Sequence, residues 1–259
     1  FILPNDEVVR TVDKGSSVTM LTPDEITNYT FIGWRNEQGI METRESIPVF
    51  QDCYFSAVYA VSLQTDTHKA YLFPNEYGQY YPDRPMTRGD AAIMLDTLLA
   101  VQINGEEGFI DVPRSAECYD AAAALKSLGI ISGSRFHPDE GITRGELLEM
   151  LSAFYPVSRQ QYEIAELSKR DSRYGAYCTA IEQKWLDPDT DDLDPDHIMT
   201  RHETAILMNR LLGRRADESV TRKEVGYLLD VRSEDAAYPD MIEACVSHSC
   251  TEENGTERW

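Results

Sequence analysis

The sequence predicts a multidomain α+β chain, a small strand-rich module followed by a mainly helical repeat domain, and three observations predict it. A nine-residue phrase occurs three times: Pro82-Asp83-Arg84-Pro85-Met86-Thr87-Arg88-Gly89-Asp90, Pro138-Asp139-Glu140-Gly141-Ile142-Thr143-Arg144-Gly145-Glu146 and Pro195-Asp196-His197-Ile198-Met199-Thr200-Arg201-His202-Glu203, the copies starting 56 and 57 residues apart. Apolar residues after each copy recur at helical spacing. Before residue 62, by contrast, the period is short and strand-like. A repeat of this length holds more than a helical hairpin.

In the first module the runs Val8–Val12, Ser17–Met20, Ile47–Phe50 and Tyr54–Ala60 read as strands separated by turn residues. About sixty residues can hold a small core. Phe31 and Trp34 are its expected centre, since aromatics dominate burial in so small a unit. Residues 62–68 are polar and without periodicity, and read as a linker.

Each copy of the phrase reads as a helix start. Thr-x-x-Asp/Glu before an apolar run is a capping box, in which the hydroxyl accepts from the third helical N–H and the acid reaches back to the cap N–H. Thr87, Thr143 and Thr200 are therefore expected N-caps, as is Thr221 in a shorter fourth echo, Asp217 to Glu224. The arginine that follows each of the four threonines has no such local reason. A cation at the first helical position meets the positive end of the dipole. Arg88, Arg144 and Arg201 thus point to a bridging or ligand-binding task.

Partner helices are expected at Tyr119–Ile131, Tyr174–Leu186 and Tyr238–His248, the first preceded by Phe109-Ile110-Asp111-Val112, the last by Leu229-Asp230-Val231. Nothing comparable precedes the first copy, so the helical part opens on a capped helix and finishes on a partner helix. A closed pseudo-threefold arrangement follows if the last helix docks beside the first.

The segment Phe109 to Phe154 carries Phe-x-Asp-Val, Leu128-Gly129-Ile130-Ile131, Phe136, Pro138 and Ile142-Thr143-Arg144-Gly145-Glu146, and resembles the S-layer homology domain. The resemblance extends from about Lys69 onward. It is weaker in the first copy, which lacks its Phe-x-Asp-Val helix, and in the third, where Leu167 to Asp171 stands in that place. It implies a three-pronged, pseudo-threefold helical bundle over 63–259, with repeats near 69–100, 109–155 and 167–213 and closing helices at 221–250. It also implies a non-covalent cell-wall anchor of a secreted Gram-positive surface protein, extracellular and wall-bound. Its partner would be an anionic, often pyruvylated, secondary wall polysaccharide. Carried over by position, Arg88, Arg144 and Arg201 are the carbohydrate-binding candidates, Arg144 foremost. Asp83, Asp139 and Asp196 would orient them or accept from sugar hydroxyls. Guanidinium suits carboxylate recognition, and a helix start offers N–H groups to an anion. Residues 1–62, through Lys14-Gly15-x-x-Val18, Phe31-Ile32-Gly33-Trp34 and the strand ending at Ala60, resemble the β-grasp-like Listeria–Bacteroides, or internalin B-type, repeat of surface proteins, which implies a spacer or interaction role.

Charge limits the partners. With 24 basic against 45 acidic residues the net charge is −21, which opposes nucleic-acid or anionic-membrane binding through bulk charge. Binding of an anionic polymer would have to be local. No run approaches a membrane span, and Phe1-Ile2-Leu3-Pro4 is no signal peptide, so further domains of a longer secreted protein are expected. Cys53, Cys118, Cys178, Cys245 and Cys250 form no Cys-x-x-Cys pair. The middle three read as small buried hydrophobes, and a Cys245–Cys250 disulfide would be strained. Asp187 to Asp194 opens like a calcium loop but has Asp192 where Gly is needed and Ile198 where Glu is needed, so it reads as a solvated acidic turn. The five histidines fall in no catalytic or metal pattern. No enzyme, metal site or cofactor is expected. The alternative to an anchor is a structural spacer or adhesin scaffold. In an anchor each arginine should line a groove beside Tyr80, Tyr81, Phe136 or His137; in a spacer it should be consumed by neighbouring acids.

Overall fold

A computed structural model describes residues 1–3, 8–23, 29–37, 41–42, 44–61, 67–99, 108–155, 158, 160–165, 167–215, 228, 230–232, 235–253 and 256–258. It is mixed α+β. The strands are β1 (Ser17–Thr19), β2 (Tyr29–Asn36), β3 (Met41–Glu42), β4 (Ser46–Pro48), β5 (Phe55–Val61), β6 (Thr67–His68), β7 (His248–Ser249), β8 (Thr251–Glu253) and β9 (Thr256–Arg258). The helices are α1 (Arg88–Leu99), α2 (Tyr119–Ser127), α3 (Arg144–Ser152), α4 (Tyr174–Glu182), α5 (Arg201–Leu212) and α6 (Tyr238–Cys245).

The N-terminal strands build a three-stranded antiparallel sheet, β3-β2-β5, and a separate β1-β4 pair. A bulge between Phe31 and Gly33 interrupts β2, and Gly33 takes φ 150° there, a backbone that a side chain would oppose. Trp34 is 2% exposed, and its indole N–H donates to the Leu21 carbonyl at 2.8 Å. Phe31 packs against it edge-on at 5.5 Å. Trp34, Ile47 and Phe55 form a core cluster of their own. Val8–Val12 is not a strand: Val8 exchanges backbone hydrogen bonds with Phe1 at 2.8 and 2.9 Å, but the pairing does not extend along the run, and Val9 is exposed. Thr67 and His68, expected in the linker, instead form β6, which pairs antiparallel with β7.

The three phrases meet. The Met86 N–H donates to the Met199 carbonyl (2.8 Å), the Ile142 N–H to that of Met86 (2.8 Å), and the Met199 N–H to that of Ile142 (3.0 Å). Each copy gives to one neighbour and takes from the other, so the ring closes. All three side chains are buried in one continuous cluster that also holds Tyr71, Phe136, Tyr177 and Trp185. Around the ring α1 packs on α2, α3 on α4, and α5 on α6. The last helix therefore docks chiefly on α5 rather than on α1. Closure onto the start of the helical part is made by backbone: the Tyr71 and Leu72 N–H groups both donate to the Ala244 carbonyl.

Helix ends follow local chemistry. Thr143 and Thr200 cap α3 and α5 in full capping boxes with Glu146 and Glu203, and the Thr87 hydroxyl accepts from the Asp90 N–H at 3.0 Å. Thr221 lies outside the described residues. The partner helices stop earlier than expected. Gly129 follows α2 at φ 70°, while Lys184 takes the same left-handed place after α4 at φ 62°. Val246 turns extended and leads into β7, so His248 sits on a strand.

A side chain of the N-terminal sheet reaches the helices. Arg35, on β2, reaches the carbonyls of Ala153 (2.5 Å) and Leu128 (3.4 Å), the C-cap residues of α3 and α2. A cation suits those negative helix ends, although burial pushes the Arg35 pKa down.

Candidate functional site

The repeated arginines begin α1, α3 and α5, at the seams between copies. There the helix starts give their N–H groups to the neighbouring copy. Arg88, Arg144 and Arg201 donate from the backbone to Glu140, His197 and Arg84, and Gly89, Gly145 and His202 to Pro138, Pro195 and Pro82. The third N–H goes to the capping threonine. Free N–H groups for an anion, expected from the sequence, are thus already spent on assembly. The close approach also accounts for a glycine after Arg144: a Cβ at Gly145 would meet Arg173 Cδ at 2.7 Å and the Pro195 oxygen at 3.0 Å.

The side chains cross the same seams. Arg88 donates through Nε to the Phe136 carbonyl at 2.7 Å, lies 5.3 Å from the Phe136 ring centre and pairs with Glu146. Arg201 repeats this arrangement at the next seam: Nε to the Tyr80 carbonyl at 2.7 Å, Nη1 to Asp90 at 3.3 Å, and Nη2 to the Phe73 carbonyl at 2.7 Å. Arg144 departs from it. Its Nη1 meets Asp192 Oδ2 at 2.8 Å and the Asp194 carbonyl at 3.0 Å, while Glu203, the acid that the pattern would assign to it, is held by His197. Arg144 is also the most buried, with 6% of its side chain exposed against 17% for Arg88 and 12% for Arg201. The dipole penalty at these positions is met by carboxylates and carbonyls of the adjoining copy.

Asp83, Asp139 and Asp196 are all exposed at the seams. Asp196 binds Arg173 Nη1 at 2.6 Å, and the ion pairs of the three motif arginines go to other acids. Two carboxylates not selected from the sequence shape the site more directly. Asp111 accepts the Phe136 and His137 N–H groups, both at 2.9 Å, and Asp230 those of Tyr80 and Tyr81, at 2.8 and 2.6 Å. They hold His137 and Tyr81 in the left-handed region, at φ 56° and 49°. Burial opposes ionisation of Asp111, yet the two N–H bonds keep its carboxyl below the usual range. In the third copy Asp171 turns instead to Arg173, which brings its pKa down to about 2. The recurring Asp-Val before a partner helix was the available signal for Asp111 and Asp230.

Of the aromatics expected beside the arginines, Tyr80 and Phe136 are buried, whereas His137 is exposed and Tyr81 half-buried. The Arg201 seam differs from the others. Its loop carries Phe73 and Tyr77, 46% and 70% exposed, and Arg84, exposed and 4.8 Å from the Tyr81 ring centre. Asn75 ties this loop together, accepting from the Tyr77 and Gln79 N–H groups and reaching the Tyr81 hydroxyl. The seam offers polar groups, two exposed rings and a cation on one short segment.

The remaining expectations resolve locally. Among the described residues no disulfide joins the cysteines, and Cys118, Cys178 and Cys245 are buried. The acids of 187–196 satisfy backbone N–H groups within their own turn, and Asp191 and Asp192 pair with Arg210 and Arg144. Among the described residues no helix is long and apolar enough to cross a membrane.

Residues 108–148 match the family model of the S-layer homology domain. Over 74% of its length the chain is 26% identical to "Cell surface glycoprotein 1" of Acetivibrio thermocellus, covering 9% of that protein. Over 29% of its length it is 32% identical to the "Surface-layer 125 kDa protein" of Lysinibacillus sphaericus, covering 6% of it. The chain thus spans less than a tenth of the length of these curated relatives.

Proposed function

We propose that this chain is the wall-anchoring part of a larger surface protein, a pseudo-threefold bundle that holds an anionic wall polysaccharide at the seams between its copies. The likeness to S-layer homology and to two surface proteins supports a cell-surface location and a cell-wall-binding role. The single observation that carries the ligand reading is the Arg201 seam. Exposed Phe73 and Tyr77 offer faces on which sugar rings stack, and Arg84 and Arg201 offer cations to a carboxylate or ketal acid. In this reading Arg201 shapes the seam and adds its charge to it, Arg84 makes the direct contact with the acid, and Arg144, buried against Asp192, contributes architecture. The N-terminal sheet acts as a β-grasp-like spacer, and no catalysis is assigned.

A brace without a ligand is the second reading, and one observation favours it: all three motif arginines end on acids or carbonyls of the adjoining copy. Sedimentation with purified wall sacculi, before and after hydrofluoric acid removes the secondary polymer, separates the two. The expected result is binding that the acid treatment abolishes and that Tyr77→Ala and Arg84→Ala weaken, since both side chains are exposed and their loss leaves the fold standing. Folded wild type that stays in the supernatant would overturn the anchor and leave the brace.

A further inference from the structure

Three residues that the anchoring role does not use come together where the chain closes on itself. His68 lies on β6, Glu243 on α6 and His248 on β7. One donor atom from each lies within 4.8 Å of the others. His68 Nδ1 is 2.8 Å from Glu243 Oε1, His248 Nε2 is 3.5 Å from Glu243 Oε2, and the two rings stand edge-on with centres 5.0 Å apart. Cys250 Sγ lies 3.3 Å from His68 Nε2, on the side of the ring away from Glu243.

Glu243 is fully buried, and no hydrogen bond reaches its Oε2 among the described residues. A buried carboxylate oxygen left unmatched is costly. The nearest group to it offers no remedy in its neutral form. His248 Nδ1 lies 2.9 Å from the Val246 carbonyl, which can only accept, so the proton of a neutral ring sits there and Nε2 turns a lone pair toward Oε2. Two acceptors then face each other at 3.5 Å. A metal ion between them relieves the repulsion, and a ring nitrogen anchored to a backbone carbonyl is how metal-bound imidazoles are held.

We propose that His68, Glu243 and His248 bind one divalent transition-metal ion of the zinc class. Two imidazoles beside a carboxylate select such an ion over calcium or magnesium. A tetrahedral shell with bonds of about 2.0–2.3 Å has edges of about 3.3–3.8 Å, and the 3.5 Å separation of His248 Nε2 from Glu243 Oε2 falls in that range. The wider ones need side-chain shifts of about an ångström. The ion would clasp the first strand of the helical part to its last helix and strand, 175 residues apart between His68 and Glu243.

The test is metal stoichiometry on the whole chain, stripped with chelator, reloaded with zinc and desalted. The expected result is one zinc per chain, a thermal midpoint raised by zinc, and binding weakened about ten- to hundredfold by Glu243→Gln or His248→Gln. Should either variant fail to fold, calorimetric titration of the stripped wild type with zinc serves instead, with one site expected. Cobalt-loaded wild type should show the visible bands of a tetrahedral site. Folded wild type that retains no zinc, or variants that retain it fully, would overturn the site.

Discussion

Truncating Ile142 tests whether the three copies are one cooperative unit. Ile142 is fully buried, and its backbone both gives to Met86 and takes from Met199. Alanine leaves those backbone bonds in place and removes three carbons. At about 0.8 kcal/mol per buried methylene the transfer loss is about 2.4 kcal/mol. The cavity adds to it, giving an expected cost of about 3–4 kcal/mol, within the usual span for such changes. Ile142→Val, one carbon smaller, should cost about 1 kcal/mol. Urea denaturation followed by far-ultraviolet circular dichroism reads the loss. Amide hydrogen exchange reads its reach, because the Met86, Ile142 and Met199 N–H groups belong to different copies yet share one ring. Their protection should fall together. A cost for Ile142→Ala below about 1 kcal/mol, or faster exchange confined to the second copy, would refute the ring as the element that couples the copies.

Other expectations follow from local structure. Lys184→Gly should stabilise the chain by about 1 kcal/mol in the same denaturation assay, since a left-handed backbone penalises a side chain there. Thr143→Ala and Thr200→Ala should each cost about 1 kcal/mol through the lost cap, whereas the serine variants should not. Burial raises the phenols of Tyr80 and Tyr155 to about 12 and lifts the thiols of Cys118 and Cys245. The native state therefore keeps protons that the unfolded chain releases, so this stability is complete at neutral pH and is lost as pH rises past about 9–10, the unfolded values. Thermal midpoints measured from pH 7 to 11 should fall along that limb, and a flat profile would contradict the burial.

Much of the helical part was legible because its signals are local. Thr143 and Thr200 cap by a rule that spans four residues, and α2, α4 and α6 begin where their apolar period begins. The N-terminal strands were harder. Val8–Val12 has strand composition, yet composition does not supply a neighbouring edge, and Thr67–His68 became a strand only because His248–Ser249 arrives from the far end of the sequence. The arginines show both sides of the limit. Their unfavourable place on the dipole announced a task, but the acids that answer them lie 48 to 111 residues away. The grouping of His68, Glu243 and His248 left no spacing signature at all.

The β6–β7 pairing also decides how the helical part would carry a pull. Thr67 pairs with Ser249 and His68 with His248 in antiparallel register, so the chain enters and leaves the bundle at the same end of one short ladder. Tension between an upstream and a downstream domain would peel that ladder bond by bond, an unzipping geometry, instead of shearing several bonds at once. A protein tethered at a wall and tugged from outside would thus have a mechanical fuse at residues 67–68 and 248–249.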